Sequence, residues 1–329
     1  MSDNNKKLSF EVGIIGAGAI TTTLHLPLLS AMDGVNPKYI VDVKNPTDLA
    51  KIYKIDSYDT KNLEKLPDCD IVLIATPVGV REEYIKEFSK RGIPIFTEKP
   101  FAINFDDHKK FLNYSNSIAC NYMKVWYNSS KLFEEIISSN IFKNIKKISI
   151  KEGGIVGKTN RGSDTYQSNK KLSGGGVILE ASCHTLSVLA NIFKNISVTD
   201  SKIIWEKELD VEAKVNFKVE DESSFPIEYM ITLIQPIENG TTVYYDNCYI
   251  TFDHSNPNSD FEIHNYKNQK TFMIKNEFEF ASSAQQAYYL VWKNFIEKIK
   301  NEEKLDVEKL TSIKTTEIIS KIYEMDDKK

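Results

Sequence analysis

Three parts of the chain carry residue types that can do chemistry. The first is the segment Pro94–Phe101, in which an apolar run ends in Glu98, Lys99 and Pro100. A lysine supplies hydrogen-bond donors and no acceptor, which suits it to an oxygen that gains negative charge. Proline stiffens the chain and restricts the preceding residue to extended angles, so Lys99 is predicted to be held rigidly. A surface turn and an ion pair are the alternatives.

The second part is a glycine-rich turn, GAG at 16–18, which follows an apolar run. Gly16 permits a tight turn, and Gly18 lets a pyrophosphate approach the backbone. A helix that begins near Ala19 and Ile20 offers free N–H groups to the same negative charge. Thr21 stands where a third glycine or alanine is usual, and we interpret it as a packing choice.

Further residues fit a dinucleotide. Asp42 lies 42 − 18 = 24 residues beyond Gly18, at the predicted end of the second strand, where ribose hydroxyls are bound. Because a 2′-phosphate would meet its negative charge, Asp42 favours NAD. Lys44 is a candidate partner for such a phosphate, so NADP stays open. Thr76 and Pro77 end another core strand and are predicted to contact the nicotinamide side. The structural alternatives are that Asp42 is a solvated acid at the end of a strand, and that Thr76 and Pro77 only end a strand.

The third part is a pair of side chains, Glu180 and His184, which share one face if their segment is helical. Three glycines at 174–176 precede them and are predicted to leave room for a substrate or nicotinamide. The alternative is that His184 is a structural histidine, the role that we predict for His25 and His108.

A polar loop at 158–171 lies between the chemical segments. It contains Arg161 and Tyr166 and several lysines. Such a loop is predicted to bind a carboxylate or the diphosphate of a sugar nucleotide. A solvated lysine-rich loop is the alternative.

The pattern of apolar residues predicts two domains in these 329 residues. Within 1–121, short apolar runs alternate with helical patterns, which predicts a doubly wound parallel sheet with helices on both faces. Within 122–329, strand follows strand from 197 to about 274, and two helices close the chain. This pattern predicts an α+β domain with a large, mostly antiparallel open sheet. The closing helices are candidates to pack back on the first domain.

Composition limits the class of protein. The net charge of −4 gives no overall basic field, so nucleic acid is not the expected partner. The scattered cysteines indicate neither a disulfide framework nor a zinc site, and no metal is expected. Because we find no signal-peptide pattern and no long apolar run, we expect a cytoplasmic protein without a membrane partner. The cysteines are Cys69, Cys120, Cys183 and Cys248.

Together these motifs resemble the Gfo/Idh/MocA oxidoreductases, which include glucose–fructose oxidoreductase and inositol dehydrogenase. The resemblance covers Phe10 to about Phe193, and it implies an N-terminal Rossmann domain, NAD or NADP as cofactor, and a homodimer or homotetramer. The motifs are the glycine-rich turn, LHLPLL at 24–29, IATP at 74–77, TEKPF at 97–101 and GGGVILEASCHTL at 174–186.

The resemblance also implies roles for individual residues. Lys99 sits beside the nicotinamide and the reacting carbon of a sugar or polyol, and either Lys99 or His184 relays the hydroxyl proton. Glu180 binds a neighbouring substrate hydroxyl. Glu98 orients Lys99 or contacts the cofactor, and Lys124 occupies the substrate side.

The chain departs from the family pattern at several positions. Glu180 replaces an aspartate and Ser182 a glycine, and both changes fill space, which predicts a smaller or shifted substrate pocket. Ser187 stands where an acid often follows the histidine. A family histidine after IATP is absent, and Arg81 in that segment is predicted to be a surface arginine or a partner of a phosphate or an acid.

These inferences predict an NAD(P)-dependent oxidoreductase that moves a hydride between nicotinamide and a ring carbon of a sugar. The sugar is free, phosphorylated or nucleotide-linked. The alternatives are a cyclitol dehydrogenase, a redox-neutral enzyme that retains NAD, and a non-enzymatic regulatory protein that senses NAD or a sugar.

Overall fold

The protein structure is a computed structural model, and it describes residues 9–115, 117–139, 141–154, 165–221 and 223–326. Within it the chain divides into two compact units. The predicted boundary after Asn121 is one of the points of division, and the C-terminal segment Tyr288–Ser312 is assigned to the first unit. The first unit is Met1–Ala102, Asp106–Asn121 and Tyr288–Ser312, and the second is Ile103–Phe105, Tyr122–Ala287 and Ile313–Lys329.

The first unit contains a six-stranded parallel sheet with the order β3-β2-β1-β4-β5-β6. Strands β2 and β3 lie on one side of β1, and β4, β5 and β6 lie on the other, so the strand order reverses between β1 and β4. Ligands bind at such a point, beyond the carboxyl ends of the strands. The strands are β1 (Phe10–Ile15), β2 (Val35–Asp42), β3 (Asp56–Asp59), β4 (Ile71–Ile74), β5 (Ile95–Thr97) and β6 (Ile118–Cys120).

The central strands of this sheet are apolar because both of their faces are covered. All four residues of β4 are buried, as are five of the six in β1. Phe96 of β5 stacks on Trp292, with ring centroids 4.2 Å apart, and also packs against Phe295. The helices of this part of the chain are α1 (Leu26–Ala31), α2 (Thr47–Tyr53), α3 (Arg81–Lys90) and α4 (Phe105–Tyr114).

The second unit contains an eight-stranded sheet with the order β14-β13-β12-β11-β7-β10-β9-β8, in which only β7 and β10 pair in parallel. This architecture confirms the predicted fold class. The strands are β7 (Lys147–Gly153), β8 (Ile196–Glu206), β9 (Leu209–Glu220), β10 (Ser224–Thr232), β11 (Gly240–Tyr244), β12 (Cys248–Phe252), β13 (Phe261–Asn265) and β14 (Thr271–Ile274).

This sheet has one core face and one outward face. Along β9, Ala213, Val215, Phe217 and Val219 are buried and alternate with exposed polar residues, the pattern of a half-buried strand. The remaining helices are α5 (Asn128–Ser138), α6 (Lys170–Ser173), α7 (Cys183–Ile192), α8 (Ala284–Lys300) and α9 (Asp306–Glu324).

One helical stretch, Lys170–Ile192, is long and apolar enough by composition to cross a membrane. Within the fold, 72% of its apolar window is buried. A core helix has the same composition, so the stretch is weak support for a membrane span.

Candidate active site

The glycine-rich turn follows β1 and packs against the end of β4. Gly16 has a φ of +105°, and a Cβ atom there would lie 2.7 Å from the carbonyl oxygen of Ala75, so only glycine fits. A Cβ atom at Gly18 would meet no described heavy atom within 4 Å. Gly18 and Ala19 are exposed, and Ile20 is half-buried. The turn therefore offers the open backbone that a pyrophosphate needs.

Thr21 fastens the following helix to this turn. It lies in a π-helical turn, Thr21–His25, that continues into α1. Its buried hydroxyl donates a 2.7 Å hydrogen bond to the carbonyl oxygen of Gly16. This contact agrees with the interpretation of Thr21 as a packing choice and adds a hydrogen bond to it. Single π-helical turns occur frequently at functional sites.

Asp42 is half-buried at the end of β2, beside the turn. One carboxylate oxygen accepts the N–H of Ala17 at 2.7 Å, and the other accepts the N–H of Val43 at 2.7 Å. A carboxylate has about four lone-pair sites, so these bonds leave capacity for the two hydroxyls of a ribose.

Thr76 and Pro77 follow β4 at the same edge of the sheet. The hydroxyl oxygen of Thr76 is buried and has no hydrogen-bond partner among the described residues. Because native proteins rarely leave a buried polar atom unpaired, this oxygen fits a polar group of a bound ligand. The open turn, the acceptor at Asp42 and this hydroxyl together fit a dinucleotide.

Glu98 directly follows β5 and is the acid of a buried hydrogen-bonded cluster. Its Oε1 lies 2.7 Å from Nε2 of His25 and 2.7 Å from Nδ2 of Asn121. The indole N–H of Trp292 donates to Nδ1 of His25 at 3.0 Å. Indole only donates, so Nδ1 is the acceptor and Nε2 carries the proton that faces Glu98. The prediction of a merely structural His25 missed this link to the segment of Lys99.

The carboxylate of Glu98 also holds the backbone of Lys99. Its Oε2 accepts the N–H of Lys99 at 3.1 Å. Burial would raise the pKa of Glu98, but hydrogen bonds from His25 and Asn121 and the charge of Lys99 outweigh burial and lower the pKa. Lys99 itself is half-buried, and its bond to Pro100 is cis. These contacts support orientation of Lys99 by Glu98, and contact of Glu98 with the cofactor stays a prediction.

Arg81 begins α3 and is 1% exposed, so the prediction of a surface arginine is wrong. Its guanidinium donates to the carbonyl oxygens of Glu98 at 2.6 Å, Thr76 at 2.9 Å and Phe101 at 3.3 Å, and also to that of Pro100. The guanidinium therefore holds backbone carbonyl oxygens in the segments that follow β4 and β5. No pattern of side-chain types signals such contacts.

Glu180 and His184 lie on one helical segment of the second unit, where the π-helical turn Ile178–Ser182 continues into α7. Glu180 is 7% exposed, and His184 is half-buried. The hydroxyl of Tyr166 donates to Oε2 of Glu180 at 3.5 Å, which brings two predicted substrate residues together. Arg161 lies outside the described residues.

The glycines at 174–176 do not leave room for a ligand, so that prediction is wrong. A Cβ atom would lie 2.7 Å from the side chain of Ile103 at the first glycine and 2.6 Å from the hydroxyl of Tyr323 at the second. At the third it would lie 2.0 Å from the carbonyl oxygen of Asp210. Protein atoms occupy the space that side chains would need.

Asp210 of β9 anchors the start of this helical segment, and sequence reasoning missed it. Its carboxylate is fully buried and accepts the N–H groups of Gly176 and Ile178, each at 2.6 Å, and the hydroxyl of Tyr323 at 2.9 Å. Such bonds satisfy N–H groups that have no partner within a helix. Burial and the charge of Asp210 raise the pKa of Tyr323 well above its ordinary value, so Tyr323 remains a donor.

Lys124 belongs to a polar cluster in the second unit and lines a small cavity with Thr185 and His254. The buried acid of the cluster is Glu152, which accepts hydrogen bonds from Thr185 at 2.5 Å and from Tyr229, and lies 3.1 Å from Nε2 of His254. Burial opposes the charge of Glu152, yet the bond to His254 and the charges of His254 and Lys124 lower its pKa to about 2. The cluster contacts α7 next to His184.

The fold and the site of the first unit define a dinucleotide-binding protein of the Rossmann class. Residues 10–123 match the GFO_IDH_MocA family, described as an oxidoreductase family with an NAD-binding Rossmann fold. The match lies in the first domain and confirms the resemblance found in the motifs. The family that it matches is described as NAD-binding.

A curated relative supports the same assignment. The chain is 34% identical over 105 residues to an uncharacterized oxidoreductase, YrbE, of Bacillus subtilis. The match covers 30% of this chain and spans about 30% of the length of the relative.

Solved structures share the fold over nearly the whole chain. KijD10, a 3-ketoreductase from Actinomadura kijaniata in complex with NADP and TDP-benzene, has a TM-score of 0.81 and 11% identity, with 97% of this chain and 98% of that chain covered. An aldose-aldose oxidoreductase from Caulobacter crescentus, complexed with glycerol, has a TM-score of 0.79 and 15% identity, with 96% and 97% covered. Because these sequence identities are low, the two comparisons show a similarity of fold alone.

Proposed function

We propose that this protein is an NAD(P)-dependent oxidoreductase that transfers a hydride between nicotinamide and a ring carbon of a sugar. The observation that carries the proposal is the carboxyl edge of the first sheet. There the open glycine-rich turn follows β1, and the unpaired hydroxyl of Thr76 follows β4. Lys99, whose backbone N–H is held by the Glu98 carboxylate, follows β5. These strands are neighbours, so a dinucleotide bound across the edge would bring its reactive end to the lysine.

The residues of the first unit have distinct roles in this proposal. Gly18 and Ala19 offer backbone N–H groups to the pyrophosphate, and Asp42 accepts from the ribose hydroxyls. We propose NAD as the preferred cofactor because Asp42 would repel a 2′-phosphate. Bound cofactor supplies C4 of nicotinamide as the hydride acceptor or donor.

The proton moves separately from the hydride. In the oxidising direction the carbon loses a hydride to C4, and its hydroxyl loses a proton. We assign that proton to the amine of Lys99 or to the imidazole of His184, as the family resemblance implies. Glu180 binds an adjacent hydroxyl of the sugar, and its bond to Tyr166 limits the orientations of the carboxylate.

For the substrate we propose a nucleotide-linked sugar. Tyr166 is exposed, and the exposed Lys170 and Lys171 follow it within five residues. Cations near a tyrosine suit a diphosphate and a base or sugar ring. KijD10, which shares the fold, was crystallised with a TDP ligand.

The experiment is a turnover assay on the purified protein with a panel of nucleotide-linked, phosphorylated and free sugars. Absorbance at 340 nm is followed with NAD, with NADP and without added cofactor. The proposal predicts a change that requires both a sugar and a dinucleotide. Sugar conversion without net absorbance change would replace it with a redox-neutral reaction, and dinucleotide binding without conversion of any sugar would favour a sensor.

A further inference from the structure

Arg81 connects two loops of the candidate site through hydrogen bonds to their backbone carbonyls. Among the contacts of its guanidinium, one reaches the carbonyl of Thr76, after β4, at 2.9 Å. The others reach the carbonyls of Glu98, Pro100 and Phe101, after β5. Carbonyls beyond the end of a strand lack ladder partners, and a buried carbonyl needs a donor.

The chemistry of this contact is specific to arginine. A guanidinium presents several donors in a rigid planar fork, and charge-assisted bonds are stronger than neutral ones. A lysine at this position would present a single ammonium group on a flexible side chain, which cannot reproduce the planar arrangement of donors. Arg81 also begins α3, where a positive charge is unfavourable because of the helix dipole. Hydrogen bonds from Arg81 to the four carbonyl oxygens offset this unfavourable interaction with the helix dipole.

The contacts flank Lys99 on both sides in the chain. The carbonyl of Glu98 belongs to the peptide before Lys99, and that of Pro100 lies one residue after it. The N–H of Lys99 is held separately by the Glu98 carboxylate. The backbone of Lys99 is therefore fixed from two directions, by Arg81 and by the cluster of Glu98 and His25.

We propose that Arg81 is a positioning residue, which sets the geometry of Lys99 and of Thr76 together. That this geometry matters for turnover rests on the proposed function. The contacts of Arg81 with the two loops do not depend on that proposal. Loss of the Arg81 guanidinium should let the loops after β4 and β5 shift. A displacement of about 1 Å at a reacting group costs about 10²-fold in rate.

The test uses Arg81→Lys, which keeps the charge, and Arg81→Ala, which removes it. The control is Arg91→Lys, because Arg91 also donates to backbone carbonyls, those of Leu63 and Leu66, with its side chain only 15% exposed. Labelling of Lys99 by acetic anhydride is measured by mass spectrometry across pH, and NAD affinity by calorimetry. Neither readout needs a substrate.

We expect both Arg81 variants to change the pH profile of Lys99 labelling and to weaken NAD binding about tenfold, the effect of roughly one lost hydrogen bond. Guanidinium ion, at a concentration far below that which unfolds the protein, should restore the profile in Arg81→Ala. Arg91→Lys should match the wild type in both readouts.

An unchanged labelling profile in folded Arg81→Lys and Arg81→Ala overturns the proposal. Failure of both variants to fold also overturns it, because Arg81 would then serve the fold rather than Lys99. If the labelling profile changes but no sugar is converted by the wild type, the positioning role stands and the proposed function fails.

Discussion

At the scale of single residues, Lys99 is the group on which the proposed chemistry depends. Lys99→Ala should lower turnover by about 10²–10⁴-fold, the usual weight of a positioned acid or base. NAD affinity should change little, since the amine addresses the substrate. Lys90→Ala is the matched control, because Lys90 is an exposed lysine of α3. Turnover within a factor of about three of wild type in Lys99→Ala would remove the lysine from the mechanism, since even the lower limit is 10²-fold.

We predict that Asp42 makes the protein prefer NAD to NADP. Its carboxylate stands beside the glycine-rich turn and should repel a 2′-phosphate. Calorimetric titration should show tighter binding of NAD than of NADP, and Asp42→Ser should narrow the difference by about tenfold, which corresponds to about 1.4 kcal/mol. Asp48→Ser, on the exposed face of α2, should leave the ratio unchanged. Equal affinities in the wild type would contradict this preference.

The sequence identifies candidate residues where the residue type is unexpected for its position or where the spacing matches a known kind of site. Gly16 and Asp42 have the spacing of a nucleotide site, and a lysine after an apolar run is conspicuous. The roles of Arg81 and Asp210 were not predicted, because the contacts that define these roles are mainly to backbone atoms, which every residue carries. Glu152 had a signal that was not used: it continues the buried alternation of Ile148 and Ile150 along β7.

At the scale of elements, Asp210 determines how the segment of Glu180 and His184 begins. Asp210→Asn keeps one acceptor oxygen and replaces the other with a donor that faces N–H groups. Unfolding in urea should show a loss of about 1.5–3 kcal/mol, the range for a hydrogen bond to a charged group. Asp246→Asn is the control, since Asp246 pairs with Lys146 at the surface and such exposed pairs contribute little to stability. Equal stability of Asp210→Asn and the wild type would refute the anchoring role.

The elements themselves were predictable where burial imposes a pattern. Strands β1 and β4 are apolar because they lie inside the sheet. The edge strand β3 was not predicted, because its sequence DSYD is short, polar and only partly covered. The glycines at 174–176 were misinterpreted because sequence shows that a side chain is absent but not which atoms fill the space.

At the scale of the whole molecule, a buried histidine makes stability depend on pH. Burial lowers the pKa of His108 from 6.5 to about 3, so the folded protein keeps this side chain neutral. The unfolded chain binds a proton below pH about 6.5 and the folded protein does not, so stability falls as pH falls from about 6.5 to about 3, by at most about 1.4 kcal/mol per pH unit.

Urea unfolding at several pH values measures this slope. His108→Gln should be less stable near neutral pH but should show a shallower slope between pH 6.5 and 3. Phe111→Leu, a buried apolar change in the same helix, is the control and should keep the slope of the wild type. A slope that His108→Gln leaves unchanged would show that other groups produce it.

Transfer of deuterium from the cofactor to a sugar would show directly that this protein moves a hydride between nicotinamide and a ring carbon. The protein is incubated with reduced dinucleotide that carries deuterium at both hydrogen positions of C4 and with a panel of nucleotide-linked keto sugars, and the products are analysed by mass spectrometry. We expect one deuterium on the ring carbon that becomes a CH–OH, transferred at a rate that Lys99→Ala lowers by about 10²-fold or more. Reduced sugar without deuterium, or deuterium transfer that Lys99→Ala leaves unaffected, would contradict this expectation.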